Sequence, residues 1–219
     1  MSLKEDLAEF RSGWFRRVPV ERQAIMARHI AELRNGLAKT SLKAGDRAPP
    51  IMLSNARGET VDVGVLLQNG PVVITFYRGG WCPYCNLELR AYQRVLPDIK
   101  AAGASLVAIS PEQPDDTLST AEKNALTFEV LSDIGQVVGR AFRLVYEFSD
   151  ELKSAYRDFG LDIPAKNGMP MEWALPISAT YVIDRNGLIL YAYTDADYRD
   201  RAEPSEVLAV LRQAADAGP

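Results

Sequence analysis

Two cysteines three residues apart, Cys82 and Cys85, are the only thiols in a chain of 219 residues. They sit in Phe76-Tyr77-Arg78-Gly79-Gly80-Trp81-Cys82-Pro83-Tyr84-Cys85. The apolar run Pro71–Tyr77 that leads into them is β-branched and aromatic, as expected of a strand buried on both faces. An apolar stripe through Leu87, Leu89, Tyr92, Val95 and Leu96 follows them and predicts a helix. Cys82 therefore falls at or before the first helical turn. Unpaired backbone N–H groups and the helix dipole favour an anion there, and thiolates so placed have pKa values lowered to roughly 3.5–7.5. Cys85, at i+3, shares a helix face with Cys82. It can attack a sulfenic acid or mixed disulfide formed there and close a local disulfide. Pro83 suits an early helical position, where a missing N–H costs nothing.

Other chemistries fit less well. A structural zinc site needs about four ligands, and two cysteines with one distant His29 cannot supply them, so no metal and no other cofactor is expected. Two packed, inert cysteines are the plain alternative, since free Cys is among the most buried residue types. Arg78 is a candidate for stabilising the Cys82 thiolate, or else a surface charge. Trp81 is either core packing or a contact for a partner thiol protein. Pro83, Tyr84 and Ser178 complete the site-lining candidates, and His29 reads as a surface or packing residue.

The elements that must position this segment follow from the rest of the pattern. Residues 1–43 read as two helical stretches broken at Pro19, an N-terminal arm that acts as a lid over the core or as the contact of a homodimer. The remainder, 44–219, reads as one domain. Ile51–Leu53 and Thr60–Val63 are short strands. Ser105–Ile109 completes a strand–helix–strand unit with a parallel pair. Ser119–Ala125 is helical, Phe128–Leu131 a strand and Ile134–Phe142 helical. Residues 145–176 read as a long loop holding Pro164, Asn167-Gly168, Pro170 and Pro176, with one short helix near Asp150–Phe159. Thr180–Ile183 and Leu188–Tyr193 form a hairpin across Asn186-Gly187, and Pro204 opens a last helix. The fold class is α/β.

Composition narrows the function classes. With 47% hydrophobic and 25% charged residues the chain supports a packed core, and its net charge of −4 gives no reason to expect nucleic-acid binding. No apolar stretch is long enough for a bilayer, and the start lacks the pattern of a secretory signal. A cytoplasmic location is expected.

Gly45-Asp46-Arg47-Ala48-Pro49, the segment Pro71–Cys85, Leu131-Ser132-Asp133 and Thr180–Gly187 together resemble the alkyl hydroperoxide reductase / thiol-specific antioxidant family, in its peroxiredoxin-like branch with a CxxC. The resemblance implies a thioredoxin-like fold: a central mixed β-sheet flanked by helices, here with an N-terminal helical extension. It also implies reduction of hydrogen peroxide or organic hydroperoxides, with electrons from a thioredoxin- or glutaredoxin-type donor. Two positions depart from the family pattern. Gly79 stands where a Thr or Ser is usual, and Ser178 where an Arg is usual, which leaves Arg78 as the nearby substitute. A general disulfide oxidoreductase is the alternative activity, and a non-enzymatic redox sensor or interaction protein the alternative of another class.

Overall fold

The computed structural model describes residues 2–169 and 171–216. Met1, Pro170 and residues 217–219, which belong to segments assigned above, lie outside the described residues.

The arm forms helices α1 (Leu3–Arg17) and α2 (Val20–Asn35) and a single turn α3 (Leu37–Thr40). Ser2 caps α1 in both directions, its hydroxyl accepting from the Glu5 N–H and its own N–H donating to the Glu5 carboxylate. Pro19 forms the joint and opens α2. A hairpin of β1 (Met52–Asn55) and β2 (Thr60–Asp62) follows. Val63, read as the end of that strand, instead starts a helix α4 (Val63–Asn69), because the Asp62 carboxylate accepts from the Gly64 N–H and caps it.

Then come β3 (Val72–Phe76), α5 (Pro83–Ala101), β4 (Ser105–Ser110), α6 (Pro114–Lys123) and β5 (Glu129–Ser132). Helix α6 begins five residues before the predicted stretch. Pro114 sits in its first turn with Asp115 and Asp116, a strong N-terminal signal. After these lie α7 (Val137–Ala141), β6 (Val145–Glu147), α8 (Asp150–Asp158), α9 (Ile163–Asn167), β7 (Ala174–Pro176), β8 (Ser178–Ile183), β9 (Ile189–Asp195) and α10 (Pro204–Asp216).

Seven strands form one mixed sheet in the order β2-β1-β5-β4-β3-β8-β9. β3 runs parallel to β4 and antiparallel to β8, and all five of its residues are buried. Strand alternation divides them. Val73, with Tyr77 just beyond the strand, faces α5, α10 and α1 in one core cluster. Val72, Ile74 and Phe76 face Phe142 and Tyr181 in a second. The thioredoxin-like architecture implied by the sequence is the one observed.

Within 145–176 the short helix expected near Asp150–Phe159 is present as α8, but the remainder is not the long loop expected. β6 and β7 pair across it, Tyr146 opposite Leu175, and α8 and α9 fold between them. Phe148, Leu152, Ala155, Tyr156, Ile163 and Leu175 are buried together with Ile25 and Met26 of α2. This third core is invisible to local periodicity because its strands have three residues each and its partner helix is over a hundred residues away. Leu3 and Leu7 of α1 join the cluster that holds the cysteines. Most apolar side chains of the arm are thus covered by its own chain, while Phe15 and Val20 stay exposed. No described helix is long and apolar enough to cross a membrane.

Candidate active site

β3 delivers its chain end to the sheet's carboxyl edge, and Arg78-Gly79-Gly80-Trp81 turns it into α5. Both glycines are needed. Gly79 has φ +144°, and a Cβ there would lie 2.3 Å from Trp81 Nε1 and 2.8 Å from Glu112 Oε1. A Cβ on Gly80 would meet Thr120 Oγ1 at 1.9 Å. The space that a threonine at position 79 would fill is taken by the Trp81 indole and the Glu112 carboxyl. Glu112 Oε2 accepts the Gly80 N–H at 2.8 Å and ties the turn to the segment after β4. Burial pushes Glu112 up to about 7.

Cys82 is the N-cap residue of α5, with Pro83 in the first turn, as the spacing predicts. Both cysteines are free thiols and buried, Cys82 being only 1% exposed. Burial alone would raise the Cys82 pKa. A hydrogen bond from the Cys85 thiol, the positive charges of Arg78 and Arg201, and the Cys85 backbone N–H outweigh it and bring Cys82 down to about 5. Cys85 moves the opposite way, through burial and through the neighbouring Cys82 sulfur. One proton is shared unequally: Cys82 carries the charge and Cys85 holds the hydrogen.

Arg78 is not a surface charge. It is 3% exposed and enclosed by aromatic rings. Its guanidinium carbon lies 4.2 Å from the Tyr198 ring centroid, 4.9 Å from Trp81 and 5.8 Å from Tyr156. Nη2 donates to the Tyr156 hydroxyl at 2.9 Å, while Nε and Nη1 have no hydrogen-bond partner among the described residues. A buried guanidinium without a carboxylate is costly, and the Cys82 thiolate in the same lining is a charge that offsets it.

The second cation, Arg201, escaped the sequence reading. It follows β9, 116 residues from Cys85, and its Nη2 lies 3.4 Å from Cys85 Sγ. Its Nε donates at 2.7 Å to Glu88 Oε2, both side chains being essentially inaccessible. Thr75 donates to the other Glu88 oxygen at 3.2 Å. Burial pushes Glu88 up to about 7 against the pull of Arg201. Glu88 did leave a signal, as an acid three residues after Cys85 on the face that α5 buries. Arg201 left none, and neither did Tyr156 or Tyr198, which come from distant segments.

The other candidates divide. Trp81, Pro83 and Tyr84 line a cavity of about 260 Å³ over Cys82. Ser178 does not. It starts β8, buried opposite Asp195, with its hydroxyl unpartnered among the described residues. The arginine expected at that position is replaced in effect by Arg78 and Arg201, which approach from elsewhere. His29 packs on Tyr146 with ring centroids 4.7 Å apart. Burial and the Arg78 charge lower it to about 4, so it is neutral at physiological pH. Among the described residues, no group of three or more His, Cys, Asp or Glu could hold a metal ion.

Comparison with known proteins agrees with this geometry. The model of the AhpC/TSA family matches residues 44–192. A chloroplastic peroxiredoxin Q of Sedum lineare is 26% identical over 182 residues, which cover 83% of this chain and 84% of that protein. Peroxiredoxin Bcp of Escherichia coli strain K12 is 34% identical over 92 residues, 42% of this chain and 58% of that protein. Among solved structures, peroxidoxin BcpB from Mycobacterium tuberculosis superposes with a TM-score of 0.62 at 23% identity, over 78% of this chain and 97% of that one.

Proposed function

The chain belongs to the AhpC/TSA family, and from that premise we propose that it is a thiol-dependent peroxidase in which Cys82 attacks and Cys85 resolves. The carrying observation is the electrostatic asymmetry of the pair: a thiolate held by Arg78 and Arg201 beside a thiol that keeps its proton.

The steps follow from this arrangement. The Cys82 thiolate attacks one peroxide oxygen. An S–O bond forms, the O–O bond breaks and the sulfur gives up two electrons. The leaving alkoxide or hydroxide takes a proton and departs as alcohol or water. Arg78, whose Nε and Nη1 have no hydrogen-bond partner among the described residues, can stabilise the charge that develops on the peroxide oxygens. Cys85 then attacks the Cys82 sulfenic acid. The S–S bond forms, and the sulfenic hydroxyl leaves with the Cys85 proton as water. Cys85 stands three residues after Cys82 on the same face of the first turn of α5, which puts the resolving thiol next to the attacking one. Arg201, beside Cys85 Sγ, favours that thiol's deprotonation as it attacks. A thioredoxin- or glutaredoxin-type dithiol donor then reduces the disulfide. The cavity of about 260 Å³ over Cys82 has room for a peroxide as the oxidising substrate. The largely covered apolar face of the arm favours a lid over a dimer contact. A cytoplasmic setting is part of the same proposal, in keeping with a chain whose only cysteines are one CxxC pair.

The test is oxidation of the reduced protein by hydroperoxide in stopped flow, read through tryptophan fluorescence and repeated with pH. A thiolate requirement with a pKa near 5 predicts a rate constant that is level from about pH 8 to about pH 6 and halves near pH 5. An ordinary thiol, with a pKa near 8.5, would lose about tenfold per unit below that value. In Arg78→Met the half-point moves up by about one unit or more. A profile that falls steadily from pH 8 would remove the basis of the proposal.

A further inference from the structure

Five of the thirteen residues that wall the cavity over Cys82 lie outside the matched family segment, 44–192, and four of these belong to the N-terminal arm. Phe10 and Trp14 come from α1, Val18 from its end, Met26 from α2 and Tyr198 from the turn after β9. Phe10 and Tyr198 both pack edge-on against Tyr84, with ring centroids 5.0 and 5.6 Å away. Among the described residues, Arg78 is the one cation in the lining beside the Cys82 thiolate, and two of its nitrogens, Nε and Nη1, have no hydrogen-bond partner. The space is about 260 Å³, room for roughly nine waters at about 30 Å³ each. That is far more than hydrogen peroxide needs, and the walls offer such waters few partners.

Building on the peroxidase reading, we infer that the N-terminal arm makes this cavity the binding site for the apolar body of an organic hydroperoxide. An aryl or branched alkyl group of several carbons fits it. Phe10 and Trp14 are the specificity-determining residues on the arm side, while Cys82 and Arg78 meet the –OOH end. The chemistry is that of the proposed peroxidase, with the alkoxide leaving as the alcohol. Selectivity comes from displacing poorly held water with apolar surface, and in an apolar pocket a single methylene discriminates by roughly tenfold or more.

The experiment compares cumene hydroperoxide with hydrogen peroxide as oxidants of the reduced full-length protein. The wild type is expected to react at least about tenfold faster with cumene hydroperoxide. Trp14→Ala lowers that ratio by about tenfold, and Trp14→Phe recovers most of it. A measurement on the wild type alone covers the case in which Trp14→Ala fails to fold: 2-phenyl-2-propanol, which cannot oxidise Cys82, slows oxidation by hydrogen peroxide in a saturable way. Equal rates for the two peroxides, a ratio unmoved in folded Trp14→Ala, or no effect of the alcohol would each overturn the inference and leave the peroxidase reading standing. Failure to react with either peroxide would overturn both.

Discussion

Cys82→Ser is expected to lose peroxide-dependent oxidation by about 10³-fold or more, the scale of removing an activated nucleophile. The loss exceeds what a generic buried thiol would show, because the site is organised around its charge. Arg78 and Arg201 both act on Cys82 from buried positions, and a serine hydroxyl cannot take up the negative charge they stabilise. The protein should still fold, since serine differs little in size. Cys85→Ser behaves differently. It still reacts once with hydroperoxide at a comparable rate, but it stalls without forming the disulfide and turns over only with an external thiol. Peroxide consumption measured with a thioredoxin-type donor, beside single-turnover oxidation, separates the two roles. Equal residual activity in both variants would mean that the sulfurs are not distinguished as the electrostatics require.

Glu88→Ala should produce the largest stability loss of any substitution near the site. It leaves the Arg201 guanidinium buried, beside Cys85 and without its carboxylate. Breaking a buried pair in this way costs about 3–5 kcal/mol, which for a chain of this length lowers the melting temperature by roughly 6–20 °C. The double variant Glu88→Leu with Arg201→Met should recover most of that stability, since an apolar pair of similar volume is often neutral or better. It should not recover function: without Arg201 the attack of Cys85 on the sulfenic acid slows, and over-oxidised Cys82 accumulates during turnover. Thermal denaturation and mass spectrometry of the turnover mixture check the two halves. If the double variant resolved its sulfenic acid at the wild-type rate, Arg201 would be a structural partner of Glu88 and nothing more.

How legible this was in the sequence depends on the range of the interaction. Cys82 at the mouth of α5, Cys85 on its buried face and Pro83 in its first turn are local facts, carried by a spacing of three and by strand-then-helix patterning. The βαβ unit and the hairpin through Asn186-Gly187 were readable for the same reason. The family resemblance supplied the central mixed sheet flanked by helices, but not its strand order, which no local pattern contains. The electrostatics of the site were not readable. Arg78 is ambiguous by itself, and its burial comes from Tyr156 and Tyr198, which arrive on α8 and on the turn after β9. Helix α8 was legible near Asp150–Phe159, but its place against α2 was not, because the flanking β6 and β7 are too short to show alternation and pack with a helix far away in sequence. Gly79 looked like a missing catalytic side chain. In the fold it is the residue that lets Trp81 and Glu112 close on the turn.

The most direct test of the central claim is peptide mapping after the reduced protein meets one equivalent of hydroperoxide. In the wild type the expected product is a single Cys82–Cys85 disulfide. In Cys85→Ser the expected product is one added oxygen on Cys82, trapped by a sulfenic-acid reagent. The added oxygen on Cys85 in Cys82→Ser, formed as fast, or oxidation of the wild type no faster than that of free cysteine, would contradict the assignment of Cys82 as the attacking thiolate.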